Sequence, residues 1–267
     1  MFYYVALVAS ALIVGITKAG FGAGTGMLAV PLLVIALGPD KMLGVLLPVL
    51  IVGDVLSMVH YPGVFDRRNV SMILPGCAVG VAIGASILEW FRALPDGATL
   101  LSGAIGVLCV TFVCVQVALM IRNRRRASRE APASDEPPPD APAYRPAFWH
   151  GILIGAVAGF TSTLSHSAGP IVALFLIPQR MEKRVYVGTT LVYFLFGNLL
   201  KLGPFIYQGL ITGETLAFLL YMGPLVFVGT LLGKWMNKRL PARAFSMVVY
   251  ALAFATGVKL VVGLFTG

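Results

Sequence analysis

Long apolar segments alternate with short polar breaks along almost the whole chain. Many of these segments are long enough for a helix that crosses a hydrocarbon core about 30 Å thick. They lack the strict alternation of an outer-membrane strand, so the pattern predicts an all-α integral membrane protein. The apolar segments are 2–20, 25–38, 42–60, 70–91 and 98–121, followed by 147–163, 168–179, 185–208, 214–235 and 244–266.

The main polar break, residues 122–146, separates two sets of apolar segments. It begins with arginines and continues as EAPASDEPPPDAPAYRP, a composition typical of a flexible, solvated linker. We therefore predict a first membrane repeat over residues 1–121, the linker, and a second membrane repeat over residues 147–267.

The two sets look like copies of each other. PGCAVGVAIG (Pro75–Gly84) aligns with PLVFVGTLLG (Pro224–Gly233), with proline and two glycines at the same spacing. GDVLS (Gly53–Ser57) aligns with GNLLK (Gly197–Lys201), and GVFDRRNV follows the first as GLITGETL follows the second. An internal duplication explains these matches.

Charge predicts how the two copies are oriented. The chain is 58% hydrophobic and 12% charged, with a mean hydropathy of +0.89 and a net charge of +9. The basic residues fall in short loops and the linker, which indicates the positive-inside bias rather than nucleic-acid binding. Three loops are clearly basic, at Arg67 and Arg68, at Gln179–Arg184 and at Lys234–Arg243. These loops lie on the same side of the membrane only if the two halves have opposite orientations. With a cytoplasmic linker, both termini would be periplasmic and the protein would lie in a bacterial inner membrane.

The second segment of each half, 25–38 or 168–179, is shorter than a full membrane span. The fold expected is therefore two inverted-topology repeats, each with about four transmembrane helices and a broken or re-entrant hairpin. Discontinuous segments at matching places in inverted repeats are typical of a transporter binding site. The sequence leaves open whether these hairpins span the membrane or re-enter.

The first hairpin contains TKAGFGAGTGMLAVP, in which a lysine and alternating glycines interrupt an apolar run. A buried ammonium is costly unless it is paired or hydrated, and glycines expose main-chain N–H groups that bind anions. A snorkelling lysine and a GxxxG packing motif at Gly22 and Gly26 are the structural alternatives. The predicted anion ligands here are Lys18, Gly20, Gly22, Gly24 and Thr25.

The second hairpin contains GFTSTLSHSAGP, which is rich in hydroxyl groups. Hydroxyl donors can bind an oxyanion without a fixed charge, although Ser and Thr also bond to their own helix backbone. The histidine either carries a proton or is a hydrogen-bonded packing residue. The predicted substrate-binding residues here are Ser162, Thr163, Ser165, His166 and Ser167.

Asp54 and Asn198 occupy equivalent positions in the two copies, and each is followed three residues later by a polar residue, Ser57 or Lys201. An intramembrane aspartate is a candidate functional group, and Lys18 is its expected counter-ion. We predict that Asp54 or His166 couples proton movement and that Asn198 and Lys201 contact substrate. A purely structural ion pair between Lys18 and Asp54 is the alternative.

Neither the cysteines nor the histidines form a recognised metal or catalytic motif. Cys77, Cys109 and Cys114 lie in apolar runs without CxxC or Cys/His spacing, so we interpret them as packing residues. There is no zinc-type His/Glu spacing and no GxSxG motif, which argues against an enzyme. No cofactor is predicted.

Three features of the sequence are informative together: the glycine-rich first hairpin running into VPLL (Val30–Leu33), the HSAGP of the second half (His166–Pro170) and the duplicated units. With these features the chain resembles the TauE/SafE sulfite exporter family. The similarity covers essentially the whole chain apart from the linker. The resemblance implies transport of small sulfur-containing anions such as sulfite or organosulfonates, or of related organic anions, by exporters that use the proton gradient.

Taken together, these features predict a proton-coupled secondary transporter that works by alternating access around the two hairpin tips. Its expected partners are a small anion, protons and the lipid bilayer, and an oligomer is compatible with the sequence. The competing functions are an anion channel of the same architecture, a membrane-embedded enzyme, or a scaffold that binds partners through the linker.

Overall fold

The computed structural model describes residues 2–20, 29–59, 61–129, 146–239 and 242–266. Within these ranges the chain forms α-helices and no β-strand, which confirms the predicted all-α class. Six of the described helices, α3, α4, α5, α6, α8 and α9, are long and apolar enough to cross a membrane. The helices are α1 (Phe2–Gly20), α2 (Val30–Leu37), α3 (Pro39–Met58), α4 (Arg67–Ala93), α5 (Gly97–Arg129), α6 (Phe148–Ser165), α7 (Gly169–Leu176), α8 (Lys183–Tyr207), α9 (Gly213–Arg239) and α10 (Ala242–Thr266).

The helix boundaries follow the apolar segments closely except at the start of the linker. There α5 continues to Arg129, although the apolar segment ends at residue 121. Arginine and alanine have high helix propensity, so the helix extends beyond the apolar stretch. Residues 130–145 of the predicted linker lie outside the described residues.

The second arm of each predicted hairpin is a half-length helix. α2 and α7 each contain 8 residues. Eight residues of α-helix extend about 12 Å, well short of a hydrocarbon core about 30 Å thick. A turn at Gly38, whose φ of 80° favours glycine, connects α2 directly to α3.

The first helix of the second half, α6, packs along α4 of the first half. The glycines of α4 allow this close approach, because a Cβ at any of them would overlap the backbone or side chains of α6. Residue numbers rise together along the two helices, so α4 and α6 run parallel. The facing pairs are Gly76 with Ile152, Gly80 with Ala156, and Gly84 with Phe160.

α1 packs along α9 in the same way. A Cβ on Gly229 would lie 2.7 Å from the carbonyl oxygen of Leu12, and Gly233 faces Ile16. These two helices therefore also run parallel. The sequence alignment pairs Gly229 with Gly80, so equivalent glycines contact the first hairpin helix of the opposite half.

Two central helices, α3 and α8, contact each other between the hairpins. α3 also contacts α1 and α9, and α8 also contacts α4. Most residues of α3 are buried, including its polar residues Asp54 and Ser57. This arrangement places Lys18 of the first hairpin, Asp54 of α3 and Lys201 of α8 in one interior region.

Candidate functional site

The Lys18 ammonium on α1 pairs with the Asp54 carboxylate on α3. Lys18 Nζ lies 2.5 Å from Asp54 Oδ1 and donates a second hydrogen bond, 2.7 Å long, to the carbonyl oxygen of Leu50. The two side chains are 10% and 1% exposed. Gly53 makes room for the lysine, because a Cβ there would lie only 3.0 Å from Lys18 Cδ. The ammonium is thus held against α3 by a buried carboxylate.

Asn198 on α8 contacts the other oxygen of the same carboxylate. Its Nδ2 donates a 2.8 Å hydrogen bond to Asp54 Oδ2. Each carboxylate oxygen of Asp54 therefore accepts a hydrogen bond from a different helix. A carboxylate with donors on both oxygens is stabilised in its ionised form.

Lys201, also on α8, has a different environment. Its Nζ lies 3.0 Å from Ser162 Oγ, 3.3 Å from the Ser162 carbonyl oxygen and 3.1 Å from His166 Nδ1. The side chain is completely buried. Among the described residues no carboxylate forms an ion pair with it. Its hydrogen-bond partners there, Ser162 and His166, carry no negative charge.

His166 lies at the tip of the second hairpin, where α6 ends. Its φ of 52° places it in the left-handed region, so that the chain turns from α6 towards α7 within a few residues. Its Nε2 lies 3.4 Å from the carbonyl oxygen of Leu43. Since that oxygen can only accept and Lys201 Nζ donates to Nδ1, these partners match the neutral imidazole with its proton on Nε2.

The other hydroxyl groups of the second hairpin bond to nearby groups of the hairpin itself. Thr163 Oγ1 donates to the Gly159 carbonyl oxygen over 2.9 Å, and Ser165 Oγ donates to that of Thr161 over 3.0 Å. Ser167 Oγ hydrogen-bonds to Ser165 through its side chain and its carbonyl oxygen. These contacts match the structural alternative for Thr163, Ser165 and Ser167, whereas Ser162 faces Lys201.

The structure brings six of the predicted residues, from both halves, into one place. We define the buried polar network as Lys18, Asp54, Asn198, Lys201, Ser162 and His166. It contains two hydrogen-bonded groups, Lys18–Asp54–Asn198 and Lys201–Ser162–His166. The two groups are neighbours because Asn198 and Lys201 lie three residues apart on one face of α8. Among the other predicted ligands, Gly20 ends α1, and Gly22, Gly24 and Thr25 lie outside the described residues.

Two contributors to this network are main-chain atoms that sequence reasoning missed. The carbonyl oxygens of Leu43 and Leu50 accept from His166 and Lys18. A leucine in an apolar helix gives no signal that its carbonyl is used in this way. Pro48 inside α3 lacks an N–H, but the carbonyl oxygen that it leaves without a helix donor is that of Gly44, so it indicates neither contact.

Further contacts join the two halves at each end of the helices. At one end Arg92 Nη1 donates a 2.6 Å hydrogen bond to the Gln208 carbonyl oxygen of the other half, and its Nε lies 3.1 Å from Asp40 Oδ2 of its own half. At the other end Asn69 Nδ2 donates to Gln179 Oε1 over 2.9 Å, and the Gln179 amide donates in return over 3.0 Å. The buried polar network is therefore bracketed by contacts between the halves.

These features define a multi-pass membrane protein with a buried, charged network between two hairpins. Residues 7–260 match the family model described as sulfite exporter TauE/SafE, and the chain belongs to that family. This membership confirms the resemblance predicted from the sequence, and a family of transporters favours a transport role over an enzymatic one. No curated protein and no solved structure matches the chain. The described residues contain no group of three or more His, Cys, Asp or Glu side chains suited to a metal ion.

Proposed function

We propose that this protein is a secondary transporter of a small sulfur-containing anion, sulfite or an organosulfonate, across the bacterial inner membrane. The observation that carries the proposal is the environment of Lys201. Its side chain is fully buried, and its hydrogen-bond partners are a serine and a neutral histidine. A buried basic group with no counter-ion among the described residues suits an anion that arrives as its partner. Family membership supplies the class of anion.

The helix contacts support an inverted-repeat architecture for this transporter. Gly44, near the start of α3, contacts Leu210 and Thr215 at the start of α9, so α3 and α9 start at the same end. α1, α3 and α9 then run in one direction. α4 follows α3 after a turn, so α4 and its parallel partner α6 run in the opposite direction. The duplication makes α6 equivalent to α1 and α9 equivalent to α4. Each equivalent pair would thus be antiparallel, as inverted repeats require.

The hydrogen bonds at the end where α4 and α6 begin support a cytoplasmic location for that end. Arg68 donates to the carbonyl oxygen of Pro146, where the linker ends, over 3.3 Å. The Asn69–Gln179 pair joins the basic loop after α7 to the same end. Because basic loops concentrate on the cytoplasmic side, this end faces the cytoplasm and both termini face the periplasm.

In this mechanism the anion replaces its hydration shell with contacts to Lys201 and Ser162. The start of α7, directly after the hairpin tip, adds the positive end of a helix. The Lys18–Asp54 pair fixes α1 to α3 and carries no net charge. Rocking of the two halves would break the contacts at one end while those at the other end hold, which gives alternating access.

Counterflow in proteoliposomes tests this proposal. Vesicles loaded with unlabelled sulfite, taurine, isethionate or acetate are diluted into a trace of the same anion carrying a radioactive label. We expect saturable accumulation of at least one sulfur-containing anion and none of acetate. Failure of every sulfur-containing anion to accumulate would overturn the proposal. Large unitary currents in planar bilayers would instead identify the competing function, an anion channel.

A further inference from the structure

We propose that Lys201, rather than Asp54 or His166, takes up and releases the coupling proton, and that it does so together with the anion. This inference rests on the proposed function, because it assigns the proton coupling of that same site. The step is a simple addition in which the Lys201 amine gains one proton as the anion becomes the partner of the resulting ammonium. Release of the anion returns the proton to solvent.

The hydrogen bonds of Lys201 can be satisfied in both protonation states. The Ser162 carbonyl oxygen and His166 Nδ1 both accept, which uses two N–H groups. The third partner, Ser162 Oγ, lies 3.0 Å away and is a hydroxyl that can accept from an ammonium or donate to an amine lone pair. In the anion-bound state the third N–H of the ammonium and the Ser162 hydroxyl both turn to the anion. When anion and proton leave, rotation of that hydroxyl satisfies the lone pair of the amine.

Asp54 lacks this freedom. Its two oxygens accept from Lys18 Nζ at 2.5 Å and from Asn198 Nδ2 at 2.8 Å. A proton on either oxygen would weaken that oxygen as an acceptor and would need an acceptor of its own beside Lys18 and Asn198, which both donate. Asp54 is therefore suited to holding Lys18 and Asn198 in place.

His166 is also held in one state by its neighbours. Its Nε2 proton is directed to the Leu43 carbonyl oxygen, and its Nδ1 accepts from Lys201. A second proton on Nδ1 would face an N–H group of Lys201. His166 is thus a positioning residue that orients the amine towards Ser162.

The charges around Lys201 favour joint binding of proton and anion. The ionisable groups near it are Lys18 on α1, Asp54 on α3, Cys77 on α4 and His166 at the end of α6. Lys18 and Asp54 cancel, and residues 21–28 contain no ionisable side chain. A bound anion stabilises the Lys201 ammonium, so by reciprocity the proton strengthens anion binding. A monoanion with one proton then enters without adding net charge.

Isothermal titration with isethionate, a monoanion that does not titrate near neutral pH, measures this linkage. The binding enthalpy is compared in imidazole and Tris buffers, which contain no competing anionic group and differ in ionisation enthalpy. We expect wild type to take up protons on binding, rising towards about one proton per anion as the pH increases from about 6 to about 9. Lys201→Arg keeps the charge but cannot release it, so its expected uptake is zero throughout. His166→Gln and Asp54→Asn should both retain proton uptake.

The possible failures are distinguishable. Wild type that binds isethionate without proton uptake would overturn this inference and leave the transporter proposal intact. Proton uptake in Lys201→Arg equal to that of wild type would also overturn the inference. So would loss of proton uptake in His166→Gln or Asp54→Asn when isethionate binding is preserved. If neither isethionate nor any other sulfur-containing anion binds to wild type, both the proposed function and this inference are wrong. If Lys201→Arg does not fold, the wild-type and His166→Gln results decide.

Discussion

Asn198 donates a 2.8 Å hydrogen bond to Asp54, although the two residues occupy equivalent positions in the two halves of the sequence. Residues related by a two-fold axis contact each other only where they lie close to that axis. The Asp54–Asn198 hydrogen bond is therefore placed where an axis between two inverted repeats would pass. The chemical difference between aspartate and asparagine then makes the two halves unequal, because Lys18 has a carboxylate partner and Lys201 has none among the described residues.

The first prediction concerns that ion pair. Asp54→Asn leaves Lys18 buried without its counter-ion, which should cost about 3–5 kcal/mol of stability, because a buried charge is then unpaired. Lys18→Met in the same chain should restore much of this loss, because it removes the orphaned charge. Thermal unfolding of the two single variants and the double variant forms the cycle. Losses that simply add in the double variant would show that the two residues do not stabilise each other.

The second prediction concerns the close helix contacts. Gly80→Ala and Gly229→Ala each place a Cβ against the backbone of the partner helix. Overpacking of this kind should cost about 1–3 kcal/mol at each position. Gly223→Ala on α9 is the matched control, since a Cβ there has no neighbour within 4 Å. Melting temperatures in detergent measure the effect, and equal values for the three variants would contradict the packing described.

The third prediction tests the inverted orientation. Pro62 lies in the exposed turn between α3 and α4, and Glu214 lies at the start of α9, after the equivalent turn. In a background lacking the three native cysteines, Glu214→Cys should react with a membrane-impermeant maleimide in intact cells. Pro62→Cys should react only after the cells are opened. Labelling of both positions from the same side would contradict opposite orientations.

The fourth prediction separates a ligand hydroxyl from structural ones. Ser162→Ala removes the hydroxyl that contacts Lys201, and this should weaken isethionate binding roughly tenfold, as expected for a hydrogen bond associated with a charged group. Thr163→Val is the matched control, because the Thr163 hydroxyl donates to the carbonyl oxygen of Gly159. Titration calorimetry gives both dissociation constants. Equal weakening in the two variants would remove Ser162 from the proposed site.

Much of the fold could be predicted because its strongest signals are local. Apolar length identifies the helices, and the charge and glycine content of one segment identifies a hairpin. Gly63 and Gly209, at equivalent turns, both have positive φ angles, as a duplicated turn motif would require. These features depend on neighbouring residues and are therefore visible along the chain.

The site was only partly predictable, because its chemistry depends on contacts between distant segments. Lys18 is the counter-ion expected for Asp54 from the sequence, and the two groups pair. Nothing local in the sequence indicates that Lys201 instead contacts Ser162 and His166, because those contacts depend on the packing of distant helices. For the same reason the hydroxyls of Ser162 and Thr163 are indistinguishable in sequence, although one faces Lys201 and the other bonds to its own helix.

The central claim is that Lys201 is the cation of a site for a sulfur-containing anion. The most direct measurement is the thermal stabilisation of purified protein by sulfite, thiosulfate, isethionate, taurine and acetate, for wild type, Lys201→Met and Lys259→Met. Lys259, exposed on α10, serves as the control for loss of one positive charge. We expect stabilisation by at least one sulfur-containing anion in wild type and Lys259→Met, and none in Lys201→Met. Equal stabilisation of all three proteins, or of none, would contradict the account.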